Sequence, residues 1–205
     1  MPIFHHTKTH GKFFFIHIPR TAGRFLVENF WRNDYDIEHH LTKERIKEKE
    51  IPNYLWTPAE GVEISHTHYS LYSKWKSIKD LPSIAIVRNP IDRFFSASGR
   101  LSPNLQSSFE NWATYENFFS KKKKNNWWRP QHEFVSPHTK IWKYENGFGK
   151  DFCNWISDIV SFLFTIKSSH YQKIETKAKF KKTKALIDNI KKFYRKDFQL
   201  LGVPK

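Results

Sequence analysis

The chain has 205 residues, enough for one domain with a sizeable core. Its 39% hydrophobic and 17% aromatic content excludes an intrinsically disordered protein. The lone cysteine, Cys153, excludes an intrachain disulfide, and no apolar run approaches the roughly 18 residues of a membrane span, so a soluble, cytoplasmic protein occupying 1–205 as a single domain is expected. The formal charge of +15 points to a polyanionic partner, whether nucleic acid, anionic membrane surface, nucleotide or acidic glycan, although solvated lysines explain much of it.

Lys12–Ile18 is a short apolar run of buried-strand length, and Leu26, Val27, Phe30 and Trp31 then fall at helical spacing, so a helix is predicted from about Gly23. His5-His6 and His39-His40 read as surface residues. A second strand is predicted over Val62–His68 and a third over Ser83–Arg88, where Asn89 is a natural N-cap and Pro90 a natural first helical residue. Ile91, Phe94, Phe95 and Ser98 give that helix one apolar face. Leu101–Arg129 reads as loop-rich and polar, with low complexity confined to Lys121–Asn126. Lys140–Tyr144 is a fourth strand candidate, Asp158–Ile166 fits helix or strand, and Leu186, Ile187, Ile190, Phe193 and Tyr194 mark an amphipathic helix. Strands alternating with helices predict an α/β fold with a parallel sheet covered on both faces. Ligands of such sheets bind at the carboxyl ends of the strands.

Strand, tight turn and helix, as in His17-Ile18-Pro19-Arg20-Thr21-Ala22-Gly23-Arg24, aim main-chain N–H groups and the positive end of a helix at an anion. Arg20 and Arg24 add charged donors, Thr21 adds a hydroxyl, and Gly23 permits a conformation or an approach that a side chain would block. An ordinary strand-helix connection with two surface arginines has the same elements. The turn lacks the Gly-x4-Gly-Lys-Ser/Thr pattern of a Walker loop, which argues against a nucleotide triphosphatase.

Phe15-Ile16-His17-Ile18-Pro19-Arg20-Thr21-Ala22-Gly23 resembles the 5′-phosphosulfate loop of PAPS-dependent sulfotransferases, above all the carbohydrate (heparan 2-O-type) enzymes, whose loop typically reads His-Ile-Pro-Lys-Thr-Gly-Gly-Thr. Arg20, Ala22 and Arg24 depart from it. Ile84–Ser96 resembles the second signature of the same family, in which an arginine ending a strand and a serine eight residues later hold the donor's 3′-phosphate; here these are Arg88 and Ser96. Ser96 falls about two turns into the helix, on the side near Arg88. Arg93 reads as structural or surface. The resemblance continues more weakly through Trp128–Gln131, Ile141–Asn146 and Phe193–Phe198. It implies a P-loop-like parallel sheet in its sulfotransferase form, the donor PAPS, the product PAP and a hydroxyl acceptor on a glycan. It also implies donor contacts from Arg20, Thr21, Ala22, Gly23, Arg24, Phe25, Arg88 and Ser96.

Sulfuryl transfer needs a base for the acceptor proton and cations for the transferring and leaving groups. Arg20 can balance charge but, always protonated, cannot donate a proton as lysine does. His66 and His68, two apart on a predicted strand, share a face, and His66-Thr67-His68 resembles the His-Gly-His of heparan 2-O-sulfotransferases. His68 is the favoured base, with His66 supporting it or taking its place. A structural pair is the competing reading, and no further ligand follows at metal spacing, so no metal is expected. Lys121–Lys124 with Trp127-Trp128-Arg129 would suit a sugar, although a lysine loop beside core tryptophans accounts for it better. Two alternatives stay open: a degenerate relative that binds a nucleotide without turnover, and a basic nucleic-acid-binding module, which has no use for two ordered strand-helix junctions.

Overall fold

The computed structural model describes residues 3–38, 66, 68–73, 78, 80–99, 101–122, 126–167 and 180–202. Strands β1 (Ile3–His6) and β2 (Lys12–Ile16) form an antiparallel hairpin, and β3 (Tyr35–Glu38) pairs antiparallel with the outer edge of β1. Strands β4 (Ser83–Val87) and β5 (Lys140–Lys143) continue the sheet in parallel from β2, giving the order β3-β1-β2-β4-β5. The fold is α/β, as expected, but its sheet is mixed rather than wholly parallel. The reason is local: the turn between His6 and Lys12 is far too short for a parallel crossover, which takes about a dozen residues or more.

The pleat sorts the aromatic run of β2 to two faces. Phe13 and Phe15, with Ile84 and Ile86 of β4, pack under helix α1 (Gly23–Arg32) through Phe25, Leu26 and Phe30. Helix α6 (Lys150–Val160) covers the same face with Phe152 and Ile156. Phe14, Ile16, Ala85 and Val87 face the other side, where Tyr72 of the short helix α2 (Tyr69–Tyr72), Phe134 and Leu201 cover them.

A third cluster lies among helices. Phe94 and Phe95 of α3 (Pro90–Ser98), Phe109 of α4 (Gln106–Phe109), Tyr115 and Phe119 of α5 (Trp112–Lys122) and Leu186 and Ile190 of α7 (Lys184–Phe193) meet there. The heavy aromatic load is housed in this cluster and under α1, each buried ring contributing about 1.5–3 kcal/mol. Helix α8 (Arg195–Leu200) closes the described chain and adds Phe198 to the third cluster.

Several expectations are corrected. Among its described residues Leu101–Arg129 holds a 3-10 turn (Pro103–Leu105) and the helices α4 and α5, the latter because Trp112, Tyr115 and Phe119 recur at i, i+3 and i+7 and turn one face inward. Lys121 and Lys122 end α5, and 123–125 lie outside the described residues. Of the strand expected at Val62–His68, 62–65 and 67 also lie outside them, as do His39, His40 and 168–179; His66 has helical backbone and His68 precedes α2, so neither is extended sheet. Their shared strand face is therefore not realised. His6 is buried, not a surface residue, with Nδ1 accepting from Thr9 N at 3.1 Å. The ambiguous Asp158–Ile166 resolves as helix to Val160, a left-handed Ser161 (φ 53°) and irregular chain pinned by Asn33, whose Nδ2 donates to Thr165 O at 2.7 Å. The third helix starts as expected, with Asn89 Oδ1 accepting from Ile91 N at 2.9 Å and Pro90 following. No helix among the described residues is long and apolar enough to cross a membrane.

Candidate functional site

Because β2 and β4 are parallel neighbours, the two expected anion motifs leave the sheet side by side. After β2 the chain turns through two left-handed residues, Arg20 (φ 69°) and Ala22 (φ 74°), before α1 begins at Gly23. Such a conformation costs a residue with a Cβ about 1–2 kcal/mol, and it persists only because neighbours hold the turn. Thr21 is one of them: fully buried, its Oγ donates to Ile18 O at 2.9 Å. The Thr21 hydroxyl expected to face the phosphate is thus committed inward. Gly23 serves through close approach and not through a positive φ, since a Cβ there would overlap the His17 imidazole.

The first intrahelical bond of α1 runs from Leu26 N to Ala22 O at 3.1 Å. The N–H groups of Gly23, Arg24 and Phe25 lie ahead of it and carry the helix's partial positive charge. The Phe25 ring is packed in the core against Phe148, centroids 5.1 Å apart, so this residue can offer an anion only its main chain. Arg24 is exposed beside the same helix end.

The two motifs meet directly. Arg20 Nε donates to Ser96 Oγ at 2.9 Å, and Arg88 Nη1 reaches the Arg20 carbonyl at 3.4 Å. The Arg88 guanidinium lies 4.4 Å from the Tyr144 ring centre, and its buried Nε has no hydrogen-bond partner among the described residues. Ser96, expected with Arg88 at the 3′-phosphate, also accepts from Arg20, so all three residues belong to one continuous rim. Arg93 turns the other way. It is buried, with Nε on Pro19 O at 3.0 Å, Nη1 on Arg129 O at 3.0 Å and Nη2 on Trp127 O at 3.2 Å, and so fastens the turn to the segment around Trp127.

That segment also meets the histidines. His66 Nδ1 lies 2.8 Å from His17 O, and since a carbonyl only accepts, Nδ1 carries the proton and Nε2 is the basic nitrogen. The His66 ring stands edge-on to His17 at 4.3 Å and 6.2 Å from Trp127, while Arg20 lies 5.8 Å from that same indole. Asn126 Nδ2 fixes the His66 carbonyl at 2.6 Å. His68 sits apart, its Nδ1 2.8 Å from Ser70 Oγ. Burial, and then the nearby Arg129 cation, push His68 down to about 4 against a smaller opposing pull from Glu133. The two histidines are therefore not equivalent: His66 shares the indole with Arg20, and His68 is a weak base beside an arginine.

Four positioning groups carry no obvious signal of their own. His17 lies within the first motif, while Gln131, Tyr144 and Asp197 fall in the weakly resembling segments. Trp128, by contrast, is core, packed 5.7 Å from Phe94. An open depression of about 470 Å³ lies elsewhere, at the far end of α1, lined by Trp31, Arg32, Asp34 and Lys167. Among the described residues, no group of three or more metal-ligating side chains gathers. No family model matches the chain, and neither a curated protein nor a solved structure does.

Proposed function

We propose that the chain is a sulfotransferase that moves the sulfuryl group of PAPS to an acceptor hydroxyl on a carbohydrate, in the sulfotransferase form of the P-loop-like fold. One observation carries this reading: Arg20, in the turn that follows β2, and Ser96, 76 residues on in the helix that follows the adjacent parallel strand β4, are hydrogen-bonded, with Arg88 on the Arg20 carbonyl. Two motifs that resemble the two phosphate grips of one donor thus form one cationic rim at the N-terminus of α1. The lone Cys153 favours a cytoplasmic setting.

In this reading the N–H groups of Gly23, Arg24 and Phe25 bind the 5′ end of the donor and Arg88 its 3′-phosphate. His66 Nε2 takes the acceptor proton, the acceptor oxygen bonds to sulfur, and the bond from sulfur to the 5′-phosphate oxygen breaks. The departing phosphate keeps the electron pair, and Arg20 with the helix terminus balances its charge. His66 fits the base better than His68, because its proton is fixed on Nδ1 and it borders the same indole as Arg20.

PAP should raise the melting temperature without added metal, by roughly 2.7 kcal/mol of stabilisation at a hundredfold excess over Kd. Labelled sulfate should pass from PAPS to some member of a panel of glycans, lipids and small alcohols. No thermal shift at millimolar PAP would sink the reading. The inward Thr21 hydroxyl and the weakly basic His68 favour a second reading, a nucleotide-binding relative without turnover, which a PAP shift with no transfer to any acceptor would select.

A further inference from the structure

The resemblance gives Gln131 no role, yet its carboxamide brackets the main chain of Arg88 from both sides. Arg88 N donates to Gln131 Oε1 at 2.9 Å, and Gln131 Nε2 donates to Arg88 O at 2.7 Å. Arg88 lies just beyond the end of β4, where the β5 pairing stops at Val87 with Lys143. The carboxamide does for Arg88 what a neighbouring strand does for residues inside the sheet. Gln131 is itself fully buried, and its own N–H donates to Asp197 Oδ2 at 2.8 Å.

Asp197 belongs to α8 and is also fully buried. Its other oxygen accepts from His132 N at 3.0 Å and lies 2.8 Å from His132 Nδ1. A buried carboxylate is tolerated only when donors surround it, and these three come from one short turn, Gln131–Glu133. A second tie, Tyr194 OH to Trp128 O at 2.9 Å, holds the same segment from the start of α8 but does not reach Gln131.

We infer that Gln131, locked by Asp197, is a positioning residue for Arg88, so that the C-terminal helix governs how well the rim discriminates a nucleotide's extra phosphate. The chain of contacts runs α8, Asp197, Gln131, the Arg88 main chain and then the guanidinium over Tyr144. A main-chain shift of a few tenths of an ångström at Arg88 is magnified along its side chain, and charge-assisted bonds to phosphate are sensitive to such misplacement. This inference rests on the reading that Arg88 grips the 3′-phosphate.

The test compares binding of PAP with that of AMP, which lacks the 3′-phosphate, by calorimetry on the full chain. Wild type should prefer PAP, and Arg88→Ala should abolish the preference. Gln131→Met, close in volume, and Gln131→Glu, which keeps the acceptor to Arg88 N but loses the donor to Arg88 O, should each lower PAP affinity about tenfold while changing AMP affinity less than twofold. Asp197→Asn should follow them. Tyr194→Phe, a lesion at the N-cap of the same helix that leaves Gln131 tied, should lower the melting temperature and leave the ratio intact. If Arg88→Ala erases the preference and both Gln131 variants retain it, or if they weaken PAP and AMP equally, the positioning role is wrong while the donor reading stands. A wild-type protein that binds PAP no better than AMP overturns both.

Discussion

The rim of the cradle and the support behind it are built from the same side chain and behave differently. Behind the turn, Arg93 is buried with its donors on the carbonyls of Pro19, Trp127 and Arg129. On the rim, Arg20 holds the Ser96 hydroxyl and Arg88 a single long contact to a carbonyl, with its Nε unpartnered among the described residues. An arginine whose fork is filled by main-chain carbonyls acts as a fastener. An arginine stacked on a ring with donors left over can take an anion. Residue type and sequence neighbourhood do not separate Arg88 from Arg93; what completes the fork does.

The comparison breaks most sharply at Arg93. Arg93→Ala would leave three carbonyls without donors in a buried place and should cost about 3–5 kcal/mol. Thermal unfolding should report this as a drop of roughly 6–20 °C for a chain of this size. A drop of only a degree or two would mean that Arg93 is no fastener. On the rim the pattern should invert. Arg20→Ala should cost less stability than Arg93→Ala and, on the proposed reading, lower the rate of sulfuryl transfer about 10²–10³-fold, as loss of one preorganised charge-stabilising donor does elsewhere. Equal effects of Arg20→Ala and Arg93→Ala on stability would erase the distinction.

The histidines extend the same contrast to the proton-accepting side of the site. His66→Ala should abolish most turnover, and His68→Ala should reduce it far less, as measured by initial rates with saturating PAPS. The reverse order would return the base role to His68. The pH dependence of stability separates them as well. His68 is held near 4 by burial and Arg129, below its ordinary 6.5, so between these values the unfolded chain binds the proton and the folded one does not. Stability should therefore fall as pH drops through that window, and the His68 contribution is fully present only above about 6.5. His68→Gln should flatten this acid limb in urea titrations run at pH 7 and pH 5.

Much of the β2 and β4 junctions could be read from local pattern. The apolar run before Pro19, the Asn89-Pro90 start and the apolar face of α3 are all settled within a few residues of chain. What escaped was long-range. The antiparallel β1 is short and ends in histidines, one of which is buried under Phe162 and Tyr35, so it carries no strand signature of its own. Helix α5 hid because polar residues, Thr114, Glu116, Asn117 and Ser120, surround its apolar stripe, although Tyr115, Phe118 and Phe119 do share one helical face. The inward Thr21 hydroxyl and the sharing of Ser96 by Arg20 depend on which partner lies within 3 Å after folding, and spacing along the chain is silent on that. The Asp197 to Gln131 contact spans 66 residues, and neither residue type announces it.

The smallest effect is expected inside the turn itself. Ala22 is left-handed at φ 74° and serves as the N-cap of α1 without a side-chain bond. Glycine adopts that conformation at little steric cost, whereas alanine bears about 1–2 kcal/mol of strain. Against this, glycine adds freedom to the unfolded chain worth about 0.4–1 kcal/mol, and the Ala22 methyl is buried against the α1 core. The terms oppose, and the strain is the larger, so Ala22→Gly should stabilise by about 0.5 kcal/mol, visible as a rise of one or two degrees. The same change should leave the PAP over AMP preference untouched, because Ala22 belongs to the β2 turn and the preference to the Arg88 side of the rim. A fall in stability would mean that the buried methyl outweighs the strained φ, and that the turn is held by its packing more than by its backbone.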